Sequence, residues 1–163
     1  MTLKFLRNKV VEVEPKSGGE LAVSWRLTDD LFKAEICLTV QPPELEILEA
    51  RAVFERYVPP SWRNAAELIK KIEGVSIGGG LRKIAAGLLG GTEGCPLLVD
   101  AVLESCNAVI LYFTRPGIEM GEGLTDSEQK QIGLREMVKS NPRLIRSCIA
   151  FQDDSPIMKD LQI

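Results

Sequence analysis

Leu21-Ala22-Val23-Ser24-Trp25-Arg26-Leu27-Thr28-Asp29-Asp30-Leu31-Phe32-Lys33-Ala34-Glu35-Ile36-Cys37-Leu38-Thr39-Val40 is the stretch that decides the fold. Leu21, Val23, Trp25 and Leu27 alternate with Ala22, Ser24 and Arg26. Phe32, Ala34, Ile36, Leu38 and Val40 alternate with Lys33, Glu35, Cys37 and Thr39. An apolar residue at every second position puts one face of a strand on a core and the other in water. The polar link Thr28-Asp29-Asp30 suits a hairpin between the two runs. Trp25 and Phe32 are expected to be buried, and Cys37 to lie on the polar face.

Strands are expected on both sides of this pair. Leu3 to Glu14 reads as an outer strand ended by Pro15-Lys16-Ser17-Gly18-Gly19. Leu45 to Tyr57 follows the Pro42-Pro43 turn, with Ala50, Ala52 and Phe54 on one face. Four sequential strands with short links make an antiparallel meander.

After Pro59-Pro60 the period changes. Ser61 is expected to cap a helix from Trp62 to Glu73, with Trp62, Ala65, Ala66, Ile69 and Ile72 as its apolar stripe, ended by Gly74. Gly78-Gly79-Gly80 opens a shorter helix whose Leu81, Ile84, Ala85 and Leu88 share a face, and Gly90-Gly91 ends it. A third helix starts at Pro96, a residue favoured at the first helical position, and runs to Phe113. Leu98, Val102, Ser105, Cys106, Val109, Ile110 and Phe113 mark its buried side, with Asp100, Glu104 and Asn107 opposite. Gly117 to Leu124 reads as a Gly-rich connection. Thr125-Asp126-Ser127-Glu128 is a capping box for a fourth helix ending near Lys139. Strands first and helices later predict an α+β fold, a meander of about four strands packed against three to four C-terminal helices. The chain is read as a single domain, 1–163, with 152–163 a tail ordered by packing or by a partner.

Composition narrows the function. The 163 residues carry a net charge of −3, with cations scattered along the chain, and so lack the basic footprint that nucleic-acid binding requires. No stretch has the length of an apolar membrane span, and the N-terminal residues do not read as a secretory signal. A cytoplasmic protein is the resulting expectation. Its four cysteines, Cys37, Cys95, Cys106 and Cys148, form no C-x-x-C pair and are expected to be unpaired thiols. There is no histidine. Ser-His-Asp and Cys-His catalysis and imidazole zinc motifs are therefore excluded. No motif names a cofactor.

Three places could carry chemistry. Gly90-Gly91-Thr92-Glu93-Gly94-Cys95-Pro96 places a thiol at a helix N-terminus, where free N–H groups favour a thiolate. Cys95 is the candidate catalytic residue, set against the plainer reading of a small residue in a tight helix connection. Cys106 lies about 16 Å from it along the helix, too far for one metal. Gly79, Gly80, Arg82 and Lys83, together with Gly91, Thr92 and Gly94, form a candidate ligand-binding set for a small anion. The competing view is a turn that needs positive φ, followed by solvated cations. Asp100 and Glu104 could form a carboxylate metal site, although a solvated stripe explains them better. No metal ligands are assigned.

Leu27-Thr28-Asp29 through the strands, Gly80-Leu81-Arg82-Lys83, then Gly90-Gly91-Thr92-Glu93-Gly94-Cys95, and later Ser147-Cys148-Ile149-Ala150-Phe151, resemble an uncharacterised bacterial family, domain of unknown function 2889. The likeness covers roughly residues 20 to 150. It implies a shared fold and a significant Gly-Cys loop, and it supplies no reaction. The family commonly has Thr-His after the cysteine where this chain has Pro96-Leu97, so a base or ligand at that position is missing here. The overall expectation is a small-molecule or partner-binding domain that self-associates through its edge strand and its apolar tail, Ile157, Met158, Leu161 and Ile163. The alternative is a cysteine-dependent enzyme or a sulfur- or metal-handling protein using Cys95.

Overall fold

The computed structural model describes residues 4–56, 59–116, 119 and 127–158, with the backbone alone for 127–130. The fold is α+β: a four-stranded antiparallel sheet in the N-terminal half, followed by helices. Chain proximity divides it into two compact units, Met1–Val109 and Ile110–Ile163.

In the first unit, β1 (Arg7–Pro15), β2 (Leu21–Asp29), β3 (Phe32–Gln41) and β4 (Glu46–Arg56) pair in the order β1-β2-β3-β4. The period-two pattern sets the register. Val11, Trp25, Ile36 and Ala52 lie in one row across the sheet. Leu21, Val23, Trp25, Leu27, Ala34, Ile36, Leu38 and Val40 are all buried, while Phe32 is half-buried and Cys37 exposed. Along β4 the parity changes. Thr39 faces Glu49 but Val40 faces Ile47, so Leu48 is an extra residue in a bulge. It lets Ile47 and Ala50, three apart, both reach the core and leaves Leu48 at the surface.

The segment after Pro59-Pro60 departs from the expected helix. One α-helical stretch, α1 (Pro60–Ala65), gives way to a 3-10 helix over Ala66–Ile72. Ala66, Ile69 and Ile72 are the buried residues, and their spacing of three is the 3-10 period. Ser61 is not the cap. Pro59 holds that position with no side-chain cap bond, and Pro60 takes the first helical turn. Trp62 lies at the surface, 50 % exposed, rather than in an apolar stripe. Residues 73–77 then run beside β4. The Ile47 N–H donates to Val75 O, the Ile77 N–H to Leu45 O, and Glu73 accepts from the Ala50 N–H.

Helices α2 (Leu81–Leu89) and α3 (Pro96–Tyr112) follow. Leu81, Ala85 and Leu89 are the buried face of α2, which leaves Ile84 exposed, contrary to its expected place in the stripe. Leu98, Ala101, Val102, Ser105, Cys106 and Val109 are the buried face of α3, and Ile110 and Phe113 are half-buried. Glu104 leaves the expected polar side. It accepts from the indole N–H of fully buried Trp25, and Lys9 on β1 reaches it at 2.8 Å.

The second unit contains α4 (Ser127–Ser140) and two 3-10 turns, Pro142–Leu144 and Ile149–Phe151. Met137, Val138, Leu144 and Met158 form its small core, with Ile157 packed against it. The first part of the expected tail is thus folded into this unit. Leu161 and Ile163, the Thr125-Asp126 half of the capping box, and the Gly117–Leu124 connection except Glu119 lie outside the described residues. Among the described residues no helix is long and apolar enough to cross a membrane.

Candidate functional site

The Gly-Cys loop is a close-packed connection between two helices. Its N–H at Cys95 donates to Leu89 O at 2.6 Å, satisfying a carbonyl left open at the end of α2. The Cys95 carbonyl accepts from the Leu98 and Val99 N–H groups, so Cys95 does stand at the head of α3. Gly94 is demanded by space. A Cβ there would lie 2.1 Å from Gly90 O. Gly91 is demanded by torsion, at φ 82°. The Cys95 side chain is half-buried, and its thiol bonds to no described residue.

The two groups of candidate ligand-binding residues lie at opposite ends of α2. Gly80, at φ 82°, precedes α2, and exposed Arg82 and Lys83 sit in its first turn, while Gly91, Thr92 and Gly94 follow its last turn. The helix holds the two groups about 15 Å apart. All four thiols are free of disulfides. Cys37 is exposed on the outer sheet face, Cys106 is buried on α3, and Cys148 belongs to the second unit. Burial pushes the Cys106 thiol up to about 12, and burial followed by the neighbouring Glu35 carboxylate raises that of Cys37. Among the described residues no three metal-ligating side chains gather, and Asp100 is exposed while Glu104 is engaged by Lys9 and Trp25.

A groove lies at the β2–β3 turn, a place the sequence marks only as a hairpin link. Asp29, its side chain 1 % exposed, is the hub. Its Oδ1 accepts the N–H groups of Leu31 and Phe32 at 2.9 and 2.7 Å, closing the turn. Its Oδ2 accepts both Nε and Nη2 of Arg7 at 2.9 and 2.7 Å. Arg56, at the facing end of β4, donates to the Asp29 backbone carbonyl. Burial works to raise the Asp29 carboxyl, but Arg7 and the two turn N–H groups outweigh it and hold the carboxyl below its ordinary value.

Around this ion pair is a groove of about 330 Å³ with walls of Phe5, Leu27, Leu31, Phe32, Trp62 and Leu97. Phe32 meets Trp62 edge-on at 5.9 Å and packs on Phe54 at 5.5 Å. The Phe5 ring lies over the Arg7 guanidinium, 5.5 Å away. Phe5, Leu31 and Trp62 are 59, 61 and 50 % exposed, so three large apolar side chains stand at one mouth. Leu97 ties the groove to the first turn of α3, two residues beyond Cys95. A second basin, lined by Cys37, Glu49, Arg51, Glu67, Lys70 and Glu73, is polar and carries mixed charge.

Sequence reasoning missed this site because its residues come from five separated segments. The usable signals are Trp62 two residues after Pro59-Pro60 and an Asp at the end of an apolar strand face. No protein-family model matches this chain, and no curated protein and no solved structure matches it.

Proposed function

We propose that this is a small-molecule-binding domain whose ligand sits in the groove beside the β2–β3 turn. One observation carries the reading: Phe5, Leu31 and Trp62 are all half-exposed around a 330 Å³ groove whose lining includes a fixed ion pair. Ligand sites are concave, largely apolar and furnished with a few placed polar groups. Isolated exposed apolar residues mean little, whereas converging ones mark interaction sites. The neutral dye N-phenyl-1-naphthylamine tests it. Its fluorescence should rise on the wild-type protein, and Trp62→Ala should lose most of that rise. An unchanged signal in the variant would place the binding elsewhere.

Self-association through β1 is a second reading, favoured by a specific feature. β1 is a terminal strand with exposed Val10 at its middle, whereas the other terminal strand, β4, is bonded to residues 73–77. Open edges invite pairing. Sedimentation equilibrium showing a monomer at high micromolar concentration would remove this reading. A reducing, cytosolic setting suits four thiols free of disulfides. Kinship to the domain 2889 family remains part of the proposal and rests on the Gly90–Cys95 motif. A Cys95-dependent reaction draws less support, since no described side chain engages its thiol.

A further inference from the structure

We propose that the groove takes a ligand with a flat apolar body and a carboxylate at one end, held by the free edge of Arg7; this rests on the groove being a binding site at all. The donor count supports it. A guanidinium carries five N–H donors in a rigid fork. Asp29 engages Nε and one Nη2 hydrogen through a single oxygen. The Nη1 group and the second Nη2 hydrogen have no partner among the described residues, and the Arg7 side chain is 50 % exposed.

Arg7 is also held in place. Register puts it opposite Asp29 across the β1–β2 pair, and the Phe5 ring covers the guanidinium. The Asp29 oxygens are themselves occupied by four donors, two from Arg7 and two from the turn backbone. Its negative charge is therefore spread over bonded N–H groups, which reduces its repulsion of an incoming anion. A pre-oriented fork pairs with a planar carboxylate through two parallel bonds, stronger than those to a neutral acceptor. Beyond the fork, Leu27, Phe32, Trp62 and Leu97 offer a ring system apolar and edge-on aromatic contacts.

Two probes of the same shape decide the matter: 2-naphthoate and 2-naphthamide, titrated calorimetrically into the full chain. The carboxylate is expected to bind roughly tenfold more tightly than the amide, the scale of one added charge-assisted bond. Arg7→Lys keeps a cation for Asp29 but loses the fork, and should narrow the preference to about threefold or less, with the near-UV circular dichroism of the variant reporting its fold. If the amide binds as tightly as the acid on the wild-type protein, the carboxylate assignment fails and groove binding stands. If neither binds, groove binding fails with it.

Discussion

Two turns of the first unit solve the same problem by opposite means. The loop 90–95 brings backbone against backbone by removing side chains: Gly94 lies so near Gly90 that a Cβ would sit 2.1 Å from its oxygen. The turn 29–32 fixes the backbone with a side chain, as one carboxylate accepts two turn N–H groups and a neighbouring arginine. The first device is held by backbone bonds, with the Thr92 and Glu93 side chains left exposed. The second tethers the Arg7 guanidinium in the lining of a groove, half-exposed. Rigidity built from contact excludes ligands, and rigidity built from a charged hydrogen-bond hub can present one.

The sharpest way to break the comparison is Gly94→Ala. The clash is with backbone atoms, Gly90 O and C and Leu89 O, none of which can rotate away. The Cys95 N–H to Leu89 O bond would have to open, leaving the end of α2 uncapped. A loss of more than about 2 kcal/mol in chemical denaturation is expected. A loss under half of that would mean the loop relaxes freely and is no rigid connection.

Asp29 comes next, and two substitutions separate its roles. Asp29→Asn keeps an oxygen for the Leu31 and Phe32 N–H groups but gives up the charge facing Arg7. Asp29→Ala gives up both. Melting temperature should fall in the order wild type, Asn, Ala, with naphthylamine binding falling alongside. The carboxyl is held below its ordinary value when folded, so its contribution is complete above the unfolded carboxylate range, about pH 4. That contribution is lost as pH drops through the lower folded value. Glu104 follows the same direction: burial opposes the shift, and Lys9 and Trp25 outweigh it. Acid unfolding followed by circular dichroism should be less steep below pH 4 in Asp29→Asn than in the wild type. An unchanged profile would show that Asp29 is not the acid-sensitive contact of the turn.

These contrasts explain what could be read from the sequence. Period two in β2 and β3 named the buried face almost residue for residue, because a strand with one wet face has no other way to sort its side chains. The Leu48 bulge was illegible, since an extra residue on one strand exists only relative to its partner. The 3-10 segment was half legible: Ala66, Ile69 and Ile72 were identified as apolar, but α and 3-10 periods differ too little over seven residues. Glu104 was assigned to solvent by its polarity. A buried Trp25 needs an acceptor for its indole N–H, and nothing in the sequence says which residue supplies it. The place of Cys95 at the head of α3 is legible, because Pro96 fixes that boundary. The groove was hidden because Arg7 and Asp29 are 22 residues apart and Trp62 and Leu97 farther still.

Within the glycine loop a finer contrast remains. Gly91 is required by torsion alone: φ is 82° and a Cβ meets nothing within 4 Å. Gly91→Ala should therefore cost about 1 kcal/mol, less than Gly94→Ala. Equal losses would mean that both positions are held by the same contact.

The smallest effect is expected at Cys95. Its backbone does the structural work, accepting from Leu98 and Val99 and donating to Leu89, and a serine retains every one of those bonds. Serine is also a favoured residue at the head of a helix, where its hydroxyl can accept an N–H that the thiol leaves open. Cys95→Ser should thus shift the melting temperature by no more than about 2 °C, in the upward direction if the hydroxyl caps α3. Naphthylamine binding should stay within about twofold, the scale of a change that removes no contact worth a hydrogen bond. A clear loss of binding would bring the thiol into the groove through Leu97 and return the chemistry to the glycine loop. An unchanged protein would leave Cys95 as the joint between α2 and α3, with Arg7 and Asp29 as the groups that face a ligand.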